Sequence, residues 1–376
     1  MSIVVSTPDV VGERMAGPGI RAYSIARELG NHFQVTLVAR LDSFRATGEP
    51  FEAHSLGSSE ASRATRKARV IIGQPDRHFP SGSGREKKFV FDLFDPVVLE
   101  LRELAPYRSG LRHAIHMRRE WGRLLGALDR GDLLIAATRR QIDFYSGIRA
   151  ASGRDMSGWL DRWIELPFGV DEQPPSGASS IDSSSSPVIV WGGGAWPWLD
   201  PGTAIEAVKL LSRRGVRCRL LFMGTLRPNG DRSQQGRWHE LASTVEEAKD
   251  LVSWNEGWVP FGERSKWLRG AVAAIMLHHR TTESVYSIRT RFFDALWCGV
   301  PIVATAGGFV ADLVANEKLG VVTEPEDVES VAAAIEKLIA DDGFRRTCVS
   351  NLERVRPRYY WSTIMQPLVA SLRRWL

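Results

Sequence analysis

Carboxylates, guanidiniums and imidazoles crowd one stretch of the chain, from His278 to Pro301. Arg289 and Arg291 stand two residues apart at the start of an apolar helical stripe made of Phe292, Phe293, Leu296 and Trp297, and Asp294 follows three residues after Arg291. Guanidinium forks at a helix start match the oxygens of a diphosphate, and a carboxylate one turn away suits the paired hydroxyls of a ribose. Glu283 is the other acid of the stretch. His278 and His279 are adjacent where a strand ends, but no third ligand stands at a usable spacing, so the pair reads as structural and no metal is expected.

Three further segments carry residues that suit ligand chemistry. Gly12 to Arg21 joins the first strand to the first helix, and Gly17 and Gly19 allow close backbone approach just ahead of free helical N–H groups, with Arg21 beside them. A plain turn with a helix cap explains the same glycines. Gly17 to Ala22 has the form G-x-G-x-x-A, but it lies about ten residues after the strand Ile3-Val4-Val5 and no acid closes the second strand at Val38-Ala39-Arg40, so a nicotinamide dinucleotide fits poorly. Phe89-Val90-Phe91-Asp92-Leu93-Phe94-Asp95 is a strand running into two carboxylates that suit a general base or a substrate hydroxyl; Asp95-Pro96 is equally a good helix start. Trp191-Gly192-Gly193-Gly194, followed by Trp196 and Trp198, joins a strand to a helix. Gly193 and Gly194 suit a phosphate, and the tryptophans suit either the wall of a ring-binding pocket or a packing cluster.

These segments need strands and helices to hold them, and the pattern supplies both. Short apolar strands at Ile3–Val5, Gln34–Val38, Val70–Ile72, Phe89–Phe91 and Leu133–Ile135 alternate with helices, including a long one from about Val97 to Leu128. After a Ser-rich stretch at Ser176–Ser186 the alternation resumes at Val188–Trp191, Arg219–Met223, Ala273–Met276, Ile302–Ala304 and Val321–Val322. Near-continuous apolar strands separated by helices predict parallel sheets covered on both faces. At 376 residues the chain has room for two such domains, 1–170 and 187–355, joined by a linker at 171–186 and followed by a helical segment 356–376 that packs back toward the first. No internal sequence repeat is evident.

Composition narrows the function classes. A net charge of +5 over this length gives no concentrated stripe for nucleic acid. Arg outnumbers Lys about five to one, and 13 Trp exceed 6 Tyr, most of the Trp falling after Asp171. Between Leu101 and Arg154, Arg outnumbers acids about two to one, which suits a solvated helix face or a surface for an anionic acceptor or membrane. Cys218, Cys298 and Cys348 lie far apart, so neither a disulfide framework nor a zinc site is expected. With no charged and apolar leader and no membrane-length apolar run, a cytoplasmic protein is expected, peripheral at most to the inner face of a membrane.

In order along the chain, GPGIRAYSIARELG with HFQVTLV, LPFGVD at 166–171, GWVPFGERSKWLRGA and FFDALWCGVPIVATAGG resemble the motifs of the family-4 type of GT-B glycosyltransferases, over nearly the whole length. The resemblance implies the α/β GT-B fold: two Rossmann-like parallel-sheet domains facing each other across a cleft. It also implies transfer of a sugar from a nucleotide diphosphate sugar to a small-molecule, glycan or lipid acceptor. Transfer would proceed with retention, without metal or other cofactor.

The family motif has two Glu separated by seven residues. Here Asp294 takes the second place and Tyr286 the first, with Glu283 nearby. The family's Arg/Lys pair after the first donor-domain strand is replaced by Gly192–Gly194 and the tryptophans. The resemblance thus assigns Glu283 to the donor sugar, Asp294 to the ribose, and Arg289 and Arg291 to the diphosphate. Gly17, Gly19, Arg21, Gly193, Gly194, Trp198, Trp258 and Val259 complete the donor set; Asp92 and Asp95 face the acceptor; Asp95, Glu283 and Arg289 are the catalytic expectation. The alternatives are a degenerate binding or activating subunit, a nucleotide-sugar epimerase and, last, an NAD-dependent dehydrogenase.

Overall fold

The computed structural model describes residues 2–44, 46–79, 87–107, 110–181, 186–194, 196–224, 241, 248–255 and 257–375. They form two compact units: residues 1–102, 109–169 and 359–376 make the first, and 103–108 with 170–358 the second.

In the first unit the strands are β1 (Ser2–Gly12), β2 (Gln34–Asp42), β3 (Glu52–Ser55), β4 (Val70–Gly73), β5 (Lys88–Asp92), β6 (Leu133–Ala136) and β7 (Trp163–Glu165). They form a seven-stranded sheet of order β3-β2-β1-β4-β5-β6-β7, parallel throughout. In the second, β8 (Val188–Trp191), β9 (Arg219–Phe222), β10 (Val252–Trp254), β11 (Ala273–Met276), β12 (Ile302–Thr305) and β13 (Gly320–Thr323) form a six-stranded parallel sheet, order β10-β9-β8-β11-β12-β13. The central strands β4, β6, β8, β11 and β12 are buried at every position, because apolar residues such as Val70-Ile71-Ile72 and Val188-Ile189-Val190 must be covered from both faces. Each sheet grows outward from its first strand, then reverses on the other side of it. The reversal leaves a crevice at the carboxyl ends between β1 and β4, and again between β8 and β11.

Several expectations change. β1 extends past Val5 to Gly12, its register against β2 shifting between Ser6 and Val10. The Gly-rich loop therefore follows the strand closely, and β2 ends in Asp42 instead of Arg40. The expected long helix is two, Val97–Glu103 and Gly110–Arg130, with Pro106 between them and Gly110 at φ 74°. The Ser-rich segment is not simply a free linker: the Ser180 N–H donates to the Lys266 carbonyl at 2.8 Å, and Ile181 is buried. Residues 182–185 of it lie outside the described residues.

The C-terminal segment belongs to the first unit. The Trp361 ring meets Phe168 edge-on at 5.5 Å, and a Cβ on Gly169 would lie 2.5 Å from the Trp361 indole. The helix Trp361–Ile364 packs on the helix Gly17–Gly30.

Candidate functional site

The richest chemistry gathers at the carboxyl edge of the second sheet, around its β8–β11 crevice. After β8 the chain turns at Gly193, whose φ of 89° is one that side-chain-bearing residues rarely adopt. The guanidinium of Arg291 lies under this turn. Its Nη2 donates to the Gly194 carbonyl at 3.3 Å, its Cζ sits 5.3 Å from the Trp191 ring centroid, and Nη1 is buried with no hydrogen-bond partner. Burial, then the neighbouring positive charge of Arg289, lowers the Arg291 pKa to about 9, so it remains a cation at neutral pH. No carboxylate among the described residues contacts this cation, a costly arrangement that a bound anion would relieve.

Arg289 is differently placed. Its Nη1 and Nη2 donate to Glu283 Oε1 and Oε2, both at 2.7 Å, and Glu283 is fully buried. The short helix Thr282–Tyr286 that carries Glu283 is fixed by a reciprocal cap: Thr281 Oγ1 accepts from the Ser284 N–H, and the Thr281 N–H donates to Ser284 Oγ. Arg289 Nε and Ser287 Oγ, both buried, have no hydrogen-bond partner among the described residues. They line a small cavity at the ends of β11 and β12 together with His278, Ser284, Thr305 and the start of the helix Phe309–Glu317. Gly308, at the cap position of that helix, offers no side chain, so its first-turn N–H groups add donors and the positive end of the helix dipole.

His278 closes this cavity. Its backbone N–H donates to Thr305 Oγ1 at 3.2 Å, and its Nδ1 lies 3.1 Å from the His279 carbonyl, an acceptor, so Nδ1 carries the proton. Burial, then Arg289, pushes its pKa down to about 4. The neutral ring leaves Nε2 as a hydrogen-bond acceptor beside three kinds of donor. Such a set of groups can exchange hydrogen bonds with the hydroxyls of a ligand.

Asp294 pairs with Arg264, Oδ1 to Nη1 at 3.2 Å, and the Arg264 guanidinium also covers the Phe261 ring at 3.8 Å. Burial raises the Asp294 carboxyl above the usual carboxylate range; Arg264 pulls it back, and Asp171 pushes with burial. The helix Arg291–Cys298 holds Asp294 and Arg291 by burying Phe292, Phe293 and Leu296. Trp258 is half-buried and Val259 buried, and a Cβ on Gly224 after β9 would lie 3.8 Å from the Trp258 ring.

The tryptophans divide. Trp191 is a fully buried strand residue against Phe222, not a pocket wall. Trp198 is buried and stacked on half-buried Trp196 at 5.2 Å and 3°. Its carbonyl accepts from the His279 N–H while Leu199 bridges His278, which ties the β8 loop to the β11 loop.

The first-unit residues fare differently. Arg21, expected at the donor, is buried and forks onto Asp92, expected at the acceptor, with Nε–Oδ2 at 2.6 Å and Nη2–Oδ1 at 3.0 Å. It also donates to the Pro167 and Leu166 carbonyls. The two side chains thus satisfy each other, and the pair locks the first helix to the end of β5 and to the chain leaving β7. Gly19 is required for packing, since a Cβ there would lie 2.2 Å from the Val10 carbonyl oxygen. Gly17 opens its helix at a cap, Ala16, that supplies no side-chain bond. Asp95 is half-buried just before the helix Val97–Glu103. The turn that carries it is rigid: Tyr145 Oη donates to the Leu93 carbonyl at 2.9 Å, and Gln141 Nε2 to that of Phe94 at 2.7 Å.

The sequence reading missed Ser287, Thr305, Arg264 and the acceptor nitrogen of His278. None has a diagnostic spacing. Only burial without a partner, or pairing with an expected ligand residue, marks them.

Two Rossmann-ordered parallel sheets with this cluster on the second define a GT-B protein. Residues 186–341 match the family described as glycosyl transferases group 1. It is 25% identical over 260 residues to a D-inositol 3-phosphate glycosyltransferase from Xylanimonas cellulosilytica, covering 64% of this chain and 57% of that protein, so it spans little more than half of this relative. Among solved structures, sucrose-phosphate synthase from Thermosynechococcus elongatus superposes with TM-score 0.71 at 16% identity over 99% of this chain and 98% of that one. Anabaena HepE in complex with UDP and glucose superposes with TM-score 0.69 at 15% identity over the whole of both chains.

Proposed function

We propose that the protein transfers a sugar from a nucleotide diphosphate sugar to an acceptor hydroxyl. The observation that carries this reading is Arg291: a buried guanidinium under a glycine turn, with one long hydrogen bond and an unpartnered Nη1. A diphosphate held by Arg291 and by the backbone N–H groups of the turn would supply the missing counter-charge, and would be stabilised there as it leaves. The polar groups at the adjoining cavity, His278, Ser287 and Arg289, meet the sugar's hydroxyls. Glu283 fixes the fork of Arg289 and, being fully buried, does not itself touch the substrate. Asp294 and Trp258 stand ready for the ribose and the base.

Retention follows from the family resemblance. The acceptor oxygen attacks the anomeric carbon from the face that the leaving group departs, the carbon–oxygen bond to the phosphate breaks, and the acceptor proton passes to a phosphate oxygen. Asp95 orients the acceptor and need not be a strong base.

Thermal-shift measurement with UDP, GDP and dTDP sugars, followed by assay of nucleotide diphosphate release with candidate acceptors, tests the reading. One nucleotide series should raise the melting temperature and support turnover. If none binds, the donor assignment fails; epimer formation without acceptor would replace transfer by isomerisation.

A further inference from the structure

The helix Gly110–Arg130 buries only Leu124, Ala127 and Leu128, so its first four turns, about 20 Å, hold no fully buried side chain. Five large apolar side chains stand exposed among the described residues, and two of them share this segment: Leu111, 76% exposed, and Ile115, 42%. They lie four residues apart, on the same face. Arg112, His116, Arg118 and Arg119 are exposed around them. Glu120, the nearest acid, is half-buried and already paired with Arg123 and His116. Half-buried His113, Met117 and Trp121 line the opposite side.

We infer that this face docks on an anionic lipid surface. A helix with aliphatic side chains in the middle of a cationic face lies in the plane of a membrane interface. The apolar groups enter the headgroup boundary, and the Arg stems bend their guanidiniums back to the phosphates. No helix among the described residues is long and apolar enough to cross a membrane, so the contact is peripheral. A nucleic acid would use the same charges but has no place for Leu111 and Ile115. The inference stands independently of the sugar-donor site.

The test is co-sedimentation of the full chain with vesicles of phosphatidylcholine alone and of phosphatidylcholine with about one third phosphatidylserine, at low and high salt. Binding is expected to the anionic vesicles only, and to weaken with salt. The triple variant Arg112→Glu, Arg118→Glu, Arg119→Glu should weaken it on the order of a hundredfold. Leu111→Ser with Ile115→Ser should weaken it about tenfold with no change in the salt dependence. All five side chains lie outside the core, so an unchanged melting temperature will show that the fold survives. Equal binding to both vesicle types, binding to neither, or binding to single-stranded DNA without binding to vesicles overturns the inference.

Discussion

If the Arg291 guanidinium is poised for a diphosphate, its removal must separate folding from ligand binding. Arg291→Met keeps the length and apolar stem of the side chain and its contact with Trp191 while removing the buried charge. Replacing buried, poorly compensated charge by an apolar residue of similar volume stabilises by roughly 1–4 kcal/mol. The lost contact between guanidinium and indole returns about 1 kcal/mol of that. The unliganded variant should therefore melt at the same temperature as the wild type or up to about 10 °C higher, at roughly 2–4 °C per kcal/mol for a unit of this size. Donor binding should move the other way. A nucleotide diphosphate at a hundred times its dissociation constant stabilises the wild type by about 2.7 kcal/mol. A hundredfold loss of affinity, the scale of a lost charge-assisted contact, leaves about 0.4 kcal/mol. Differential scanning fluorimetry with and without nucleotide measures both. A variant that melts several degrees lower while keeping the nucleotide shift would refute the reasoning, because Arg291 would then be a structural cation.

Other substitutions separate the neighbouring roles. Ser287→Ala removes a hydroxyl with no protein partner, so stability should hold; the Michaelis constant for the sugar donor should rise about fivefold to tenfold while affinity for the bare nucleotide diphosphate stays, as competition binding would show. Glu283→Gln should cost about 3–5 kcal/mol in urea unfolding by stranding the Arg289 charge, and a double-mutant cycle with Arg289→Met should recover much of that. His278 has its pKa lowered to about 4, so between that value and the ordinary 6.5 the unfolded chain binds more protons than the folded one. The stability due to its neutral form is therefore complete above pH 6.5 and is lost as the pH falls toward 4, by about 3 kcal/mol; urea titrations should show this slope flattened in His278→Gln. Gly193→Ala, strained at its φ of 89° and brought against Arg291, should weaken nucleotide binding more than it lowers the melting temperature.

The interior of each sheet was legible in the sequence and its margins were not. β3, β7 and β10, all edge strands, were missed, since a strand paired on one side need not be a continuous apolar run, and Glu52-Ala53-His54-Ser55 and Trp163-Ile164-Glu165 are not. β1 was cut short because Ser6-Thr7-Pro8-Asp9 has the composition of a turn, although Ser6 and Thr7 are buried. At the site, charge and spacing located Arg289, Arg291, Glu283 and Asp294 together but could not show which groups satisfy one another. Arg21 illustrates the limit. Its place beside a glycine loop suggested a ligand, and only the fold shows Asp92, 71 residues away, already filling that role.

The first unit is closed by residues that follow the second unit in the chain. Helices carrying Trp361, Leu368 and Leu372, all buried, return to it only after residues 170–358 have been synthesised. At roughly 5–20 residues per second, the emerging chain must wait on the order of ten seconds or more with Phe168 and the helix Gly17–Gly30 lacking their cover. On the ribosome the second unit, continuous but for a short segment, can complete itself first. The N-terminal unit begins folding earlier and finishes later, and during that interval its uncovered surface is open to chaperones and to aggregation.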